Sequence, residues 1–210
     1  MVVAADMRRF VERFAELIEQ NADTLTELDA AIGDADHGIN MRRGVRAVLE
    51  RLGDEPTPGA VLKTVATTLI SKVGGASGPL YGTAFLRASA AAGSKESLDD
   101  ADLAALFSAA LEGLRQRGGA QAEDKTMIDA FAPAVGAFET ALAQGHPRKD
   151  ALQAARSAAY AGSDATIDLV ARKGRASYLG ERSRGHRDPG SFSTALLFDA
   201  AASTLSGDGP

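Results

Sequence analysis

The chain of 210 residues is long enough for one domain with a sizeable core, and 45% hydrophobic with 24% charged residues excludes the composition of a disordered segment. With Cys 0, disulfides, thiolate metal sites and cysteine nucleophiles are all ruled out. A net charge of -5 and 5% aromatics argue against nucleic-acid binding; the absence of a long apolar run or a secretory leader leads us to expect a cytoplasmic protein that binds no membrane.

One residue in five is alanine (42 of 210), the best helix former. Apolar positions recur at i, i+3, i+4 and i+7 in segment after segment, the spacing of an amphipathic helix. Met7, Phe10, Phe14, Leu17 and Ile18 form the first stripe, and Met41, Val45, Val48, Leu49 and Leu52 the second. Val61, Leu62, Val65, Leu69 and Val73 form a third, opened by Thr57 and Pro58 as an N-cap and first-turn pair. The stripe Leu103, Leu106, Phe107, Ala110, Leu111 and Leu114 follows Ser97 as the expected cap, with Asp99, Asp100 and Asp102 as an acidic first turn. Met127, Phe131, Val135, Phe138 and Leu142, then Ala151 to Ala161, Ile167 to Ala171 and Ala195 to Leu205, continue the helical pattern. The expected fold is all-α: about eight helices, antiparallel in a bundle or closed barrel, forming one domain over 1–205 with a flexible tail at 206–210.

Four interruptions rich in glycine and polar residues, 29–40, 74–82, 117–126 and 174–191, carry the chemistry. The first places Asp29, Asp34 and Asp36 within eight residues, followed by His37. Carboxylates so close call for a cation, and hard divalent ions such as Mg²⁺ accept their oxygens. The plainer alternative is that Asp34 and Asp36 cap a helix starting near Asn40. A calcium EF-hand fails, because the sixth and twelfth positions from Asp34 are Ile39 and Val45. The second interruption, Gly74-Gly75-Ala76-Ser77-Gly78-Pro79, is either a tight turn or a ring of N–H groups before a helix, suited to an anion. In the third, Asp124 or Thr126 is a candidate helix cap. The fourth carries Arg175, Arg182, Arg184 and Arg187 in eighteen residues, read either as forks for phosphate oxygens or as a solvated basic loop. An acidic cage with glycine and arginine loops is what a nucleotide polyphosphate and its metals require.

These motifs, in this order and spacing, resemble the ADP-binding L subunit of dihydroxyacetone kinase, which also occurs as the nucleotide domain of fused ATP-dependent dihydroxyacetone kinases. The resemblance rests on Leu28 to Gly38, Gly74 to Pro79, Asp124 to Met127 and Gly174 to Ser183, and spans essentially the whole chain. It implies an eight-helix antiparallel barrel with ADP or ATP at one end and Asp29, Asp34 and Asp36 as ligands of two Mg²⁺ ions. It places His37, Gly38, Ile39, Asn40, Ser77 and Gly78 against the phosphates. Gly118, Met127, Arg175 and the turn Asp188-Pro189-Gly190 then enclose ribose and base. Glu123 departs from the glycine expected before Asp-Lys-Thr, and Arg184 and Arg187 are more basic than the pattern and are expected to adjust partner contacts. The implied partners are a K-type subunit that holds dihydroxyacetone and a multiphosphoryl donor protein of the phosphoenolpyruvate phosphotransferase system; the second, ketone-binding domain of a fused kinase does not fit in 210 residues. The alternatives are an ATP-exchanging subunit of a kinase for another small ketose, and a nucleotide-dependent regulatory binding module.

Overall fold

A computed structural model describes residues 1–207. Eight α-helices account for most of them: α1 (Ala4–Ile32), α2 (His37–Arg51), α3 (Pro58–Lys72), α4 (Ser77–Ala92), α5 (Asp100–Gly118), α6 (Ile128–Ala143), α7 (Arg148–Ala165) and α8 (Pro189–Thr204). Two 3₁₀ segments, Thr166–Asp168 and Arg175–Ser183, lie between α7 and α8. Each helix packs on the next, and α8 returns to α1, closing the ring. The all-α barrel expected from the apolar periodicity is therefore the observed architecture. Among the described residues, no helix is long and apolar enough to cross a membrane. Of the tail expected at 206–210, positions 208–210 lie outside the described residues.

The helix ends follow local chemistry. Thr57 Oγ1 accepts from the Ala60 N–H at 3.2 Å, with Pro58 in the first turn, as expected. Before α5 the cap is Asp99 rather than Ser97: Asp99 and Asp102 exchange side-chain to backbone hydrogen bonds at 2.8 and 3.2 Å. Ser97 instead joins Leu98 in a two-residue strand paired antiparallel with Val2–Val3. The helix expected from Ile167 to Ala171 is reduced to the 3₁₀ turn Thr166–Asp168 and the chain leaves it at Leu169. Its backbone is spent on tertiary partners: the carbonyls of Thr166 and Leu169 accept from Lys125, and the Ala171 N–H donates to Ser183 Oγ.

Helix α8 is buried nearly all round, from Ser191 to Ala202 with only Asp199 part-exposed, so it shows no amphipathic stripe in the sequence. Its Phe198 packs on Phe131 and Phe107 with ring centroids 5.0 and 5.5 Å apart, and Phe107 meets Phe138 edge-on at 5.2 Å. This aromatic cluster fixes α5, α6 and α8 together.

Candidate functional site

An up-and-down ring collects alternate helix starts at one end. The first residues of α2, α4, α6 and α8 line one cavity of about 440 Å³, together with the last turns of α1 and α5. That volume suits a nucleotide-sized ligand. The interruptions read from the sequence are shorter than expected, because Asp29 belongs to the last turn of α1, His37 opens α2 and Ser77 opens α4.

Asp29, Asp34 and Asp36 each offer a carboxylate oxygen within 4.8 Å of the others. Asp29 is buried, and its Oδ2 accepts the N–H groups of Asp36 at 2.8 Å and His37 at 3.0 Å. One carboxylate thus satisfies the start of α2 from the end of α1. Gly33 makes this possible: a Cβ there would lie 2.1 Å from Asp29 Oδ1. Ala35, at φ 60, completes the sharp turn. Asp36 precedes α2 but its side chain makes no capping hydrogen bond, so capping does not occupy it. Asp34 is exposed and paired with Arg175, Nε to Oδ2, at 2.9 Å. The donor set is three carboxylates with free oxygens, the chemistry that suits a hard divalent cation such as Mg²⁺.

The glycine turn before α4 lies against this cluster, the position of a Gly75 Cβ being 3.8 Å from Asp36 Oδ2. Ser77 Oγ lies 2.9 Å from Nδ1 of His37, whose Nε2 lies 3.0 Å from Ser193 Oγ. Both ring nitrogens are therefore engaged within the protein. Burial lowers the His37 pKa to about 4 against the opposing charge of Asp36, and the imidazole is neutral at pH 7.

The opposite side of the cavity is apolar, with Leu80, Leu114, Met127 and Ile128. Gly118 keeps it open, since a Cβ there would press on Leu80 at 3.2 Å. In the loop before α6, Thr126 Oγ1 accepts from the Ile128 N–H at 3.2 Å, whereas Asp124 holds the loop through the Gln121 N–H at 2.8 Å. Glu123 and Lys125 both adopt left-handed backbone, φ 68 and 61. That conformation is why glycine suits position 123 and why Glu123 is strained there. Lys125 is 1% exposed and donates to the carbonyls of Thr166 at 2.6 Å, Leu169 at 3.1 Å and His186 at 2.5 Å. It ties the cavity floor to both arms of the loop between α7 and α8.

Asp188 caps α8 by accepting from the Ser191 N–H at 2.6 Å, and Pro189 and Gly190 follow it along the cavity wall. Its carboxyl pKa is raised to about 7, chiefly by desolvation, with the charges of Asp129 and Asp29 adding and the Ser191 N–H and Lys125 opposing.

Of the residues expected at the site, Asp29, Asp34, Asp36, His37, Ser77, Gly118, Met127, Arg175, Asp188, Pro189 and Gly190 line this cavity. Gly38, Ile39, Asn40 and Gly78 stand behind the wall. A Cβ on Gly38 would lie 2.0 Å from the Ala22 carbonyl of α1, and one on Gly78 would lie 2.2 Å from the Val73 carbonyl, so both glycines permit close backbone packing. Asn40 accepts from Arg43 at 2.8 Å, and the Ile39 side chain is 49% exposed. Of the four arginines, Arg175 alone lines the cavity among the described residues. Arg184 donates to the Asp168 carbonyl at 2.9 Å, and Arg187 pairs with Asp164 and stacks on Phe192 at 5.1 Å; both anchor their own loop. Leu80, Leu114 and Lys125 also line the cavity, though the sequence alone does not mark them as site residues.

Comparison with known proteins places these features in a family. Residues 31–203 match the DAK2 domain. The "PEP-dependent dihydroxyacetone kinase 1, ADP-binding subunit DhaL" of Listeria innocua serovar 6a is 48% identical over 199 residues, 93% of this chain and 94% of that protein. The "PEP-dependent dihydroxyacetone kinase, ADP-binding subunit DhaL" of Escherichia coli (strain K12) is 43% identical, over 92% of this chain and 93% of that one. Among solved structures, the dihydroxyacetone kinase from C. freundii in complex with AMP-PNP and Mg²⁺ superposes with a TM-score of 0.67 at 28% identity, over 96% of this chain and 33% of that one.

Proposed function

The chain belongs to the DAK2 domain family, and we propose that it is the nucleotide-carrying subunit of a dihydroxyacetone kinase. In this reading, residues 1–205 form one cytoplasmic domain that holds ADP or ATP with two Mg²⁺ ions. A multiphosphoryl protein of the phosphotransferase system phosphorylates the ADP in place, and the γ-phosphoryl passes to dihydroxyacetone on a separate K-type subunit. The observation that carries the reading is the polarity of the cavity: a carboxylate cluster at one side, an apolar slot at the other, and four helix N-termini around them. Polyphosphate needs donors, its metals need carboxylates, and a base needs an apolar slot.

Asp29, Asp34 and Asp36 would hold the metal, which supplies neutralisation of charge on the phosphates. Asp29 also accepts the Asp36 and His37 N–H groups, which fixes the turn into α2 beside the cavity. Arg175, paired with Asp34, is available to a phosphate oxygen once a cation takes over that carboxylate. Leu80, Leu114 and Met127 bury the base and exclude water around it. The chemistry is positioning and charge neutralisation, with no nucleophile on this chain.

The test follows triose phosphate formation with this chain, a K-type subunit and phosphotransferase donor proteins supplied singly and together, with ATP or phosphoenolpyruvate as donor. Turnover is expected with phosphoenolpyruvate and all components. Turnover with ATP and the K-type subunit alone would establish ATP exchange instead, and bound nucleotide without transfer in any combination would indicate a regulatory module.

A further inference from the structure

Behind the glycine turn, α2 carries a polar pair, Asn40 and Arg43, one helical turn apart. Arg43 is exposed and does not line the cavity. Its Nε donates at 2.9 Å to the carbonyl of Lys72, the last residue of α3, where helix carbonyls lack intrahelical partners. Its Nη2 donates to Asn40 Oδ1 at 2.8 Å. The guanidinium is thereby held at two points, and the glycine turn lies on the pair: a Gly74 Cβ would be 3.1 Å from Asn40 Oδ1 and 3.2 Å from Arg43 Nη2.

This contact fixes which way the Asn40 amide faces. A guanidinium only donates, so the atom it meets is the amide oxygen, and the NH₂ group is turned to the other side. Asn40 is 7% exposed, and its Nδ2 has no acceptor among the described residues. A buried donor without an acceptor is costly, and a ligand that supplies one is favoured. The NH₂ borders a notch over Gly75. Beyond the adjoining chain, the nearest neighbours to the position of a Gly75 Cβ are Asp36 Oδ2 at 3.8 Å, Asn40 Nδ2 at 3.9 Å and Asp36 Oδ1 at 3.9 Å. Gly75 and Asp36 both line the cavity, so the notch adjoins it. An oxygen displaced from that point by about 1 Å toward Asn40 is within hydrogen-bond reach of the NH₂.

We propose that Arg43 is a positioning residue: by claiming the Asn40 amide oxygen, it presents the Asn40 NH₂ in the notch as a donor to a phosphate oxygen of the metal-bound nucleotide. The inference rests on the reading above that Asp36 holds metal beside polyphosphate. Without Arg43 the amide is free to turn over and set its own oxygen, an acceptor, against the phosphate. An exposed arginine that touches no ligand thus acts on binding through the direction of one buried amide.

The chain has two asparagines, Asn21 and Asn40, so asparagine-selective nitrogen-15 labelling shows two side-chain amides, and an Asn21→Gln chain identifies that of Asn40. Calorimetry establishes that the labelled chain binds Mg-ADP. With Mg-ADP saturating, the Asn40 NH₂ protons should show Overhauser contacts to Gly75, and their resonances should shift from those of the free chain. An amide turned the other way, or one unmoved by bound Mg-ADP, would overturn the inference and leave the nucleotide reading intact. Failure of calorimetry to detect Mg-ADP binding, in the parent chain as well, would overturn both. A mutant cycle supplies the second readout: Asn40→Ala should weaken Mg-ADP about tenfold, as for loss of a hydrogen bond to a charged group. Arg43→Met should weaken it about three- to tenfold in the parent but have no further effect in Asn40→Ala. An equal loss in both backgrounds would mean that Arg43 acts through its charge or through the Lys72 carbonyl, and an unchanged affinity in Arg43→Met would remove it from binding; either result overturns the inference.

Discussion

Replacement of Lys125 by methionine isolates the interaction that holds the cavity floor to the loop behind it. The ammonium is buried and donates to three backbone carbonyls, those of Thr166, Leu169 and His186. Methionine has a similar length, and the left-handed strain at φ 61 is common to both side chains, so backbone cost cancels in the comparison. What remains is three carbonyls deprived of their donor. Hydrogen bonds to charged groups are worth about 1.5–3 kcal/mol each; water reaching the loop and the recovered desolvation cost of the ammonium reduce the sum, leaving a loss of about 3–5 kcal/mol. With an unfolding entropy of about 2.1 cal/mol/K per residue, the chain gains about 0.44 kcal/mol/K, and the loss corresponds to a fall in Tm of about 7–11 °C. Differential scanning calorimetry of both proteins without nucleotide reads this directly. Mg-ADP affinity should fall as well, because the released loop carries Arg175 and Asp188. A Lys125→Met protein that melts within about 2 °C of the parent would refute the reasoning.

Asp29→Asn should keep its fold, since one amide oxygen can still accept the Asp36 and His37 N–H groups, but it turns an NH₂ toward the other carboxylates. Both this variant and Asp34→Asn are therefore expected to lose about tenfold or more in Mg²⁺-dependent ADP affinity by calorimetry, with helical content unchanged; unaltered affinity in both would remove the cage. Glu123→Gly should raise stability by about 0.5–1 kcal/mol by relieving the left-handed backbone, while the Glu123 N–H retains Asp129 as acceptor; a lower melting temperature would contradict this. Asp188, at about 7, binds its proton more tightly in the folded than in the unfolded chain, so its contribution favours folding below about pH 4 and is lost as pH rises to 7. Asp188→Asn keeps the cap without the charge, and its advantage in melting temperature over the parent should grow from pH 5 to pH 8 without Mg²⁺ or nucleotide; a constant difference would sink that assignment.

How much was legible in the sequence depended on how local the cause was. The Asp29, Asp34 and Asp36 cluster is dense over eight residues, and Thr57 with Pro58 is a contiguous cap, so both stand out from the chain alone. In the sequence Ser97 is as good a cap for α5 as Asp99, which passes for part of the acidic first turn; only the reciprocal hydrogen bonds between Asp99 and Asp102 separate the two. Gly38 is expected against the phosphates, and the structure adds a packing demand that no local pattern reveals, the close approach of the Ala22 carbonyl on the neighbouring helix. The same holds for His37, whose partner Ser193 lies 156 residues away, and for Lys125, whose acceptors are carbonyls 41 to 61 residues on. Arg184 and Arg187 match a phosphate-binding composition but are claimed by Asp168 and Asp164 nearby. Periodicity located most of α8 but could not show that it is enclosed on every side, because a helix rich in alanine, serine and phenylalanine presents no polar face to mark.

The antiparallel ring gives the site its charge logic. Odd-numbered helices arrive at the cavity end with their carbonyl termini, and even-numbered helices leave from it with their N–H termini. The partial positive charge of four helix starts favours an anion. The carboxylates are carried by the last turn of α1 and the turn after it, where a helix end already favours positive charge, and they repel a bare anion while attracting a cation. A free phosphate compound would meet the helix starts but also the three aspartates, and a free metal would meet the aspartates but leave the partial positive charge of the helix starts without a counter-anion. A metal-bound polyphosphate answers both at once. The two halves of the site therefore strengthen each other's ligand: each component raises the affinity for the other by the same factor, as linkage requires. Connectivity produces this pairing of opposite demands, because joining successive helices by short turns brings one helix's C-terminus beside the next helix's N-terminus.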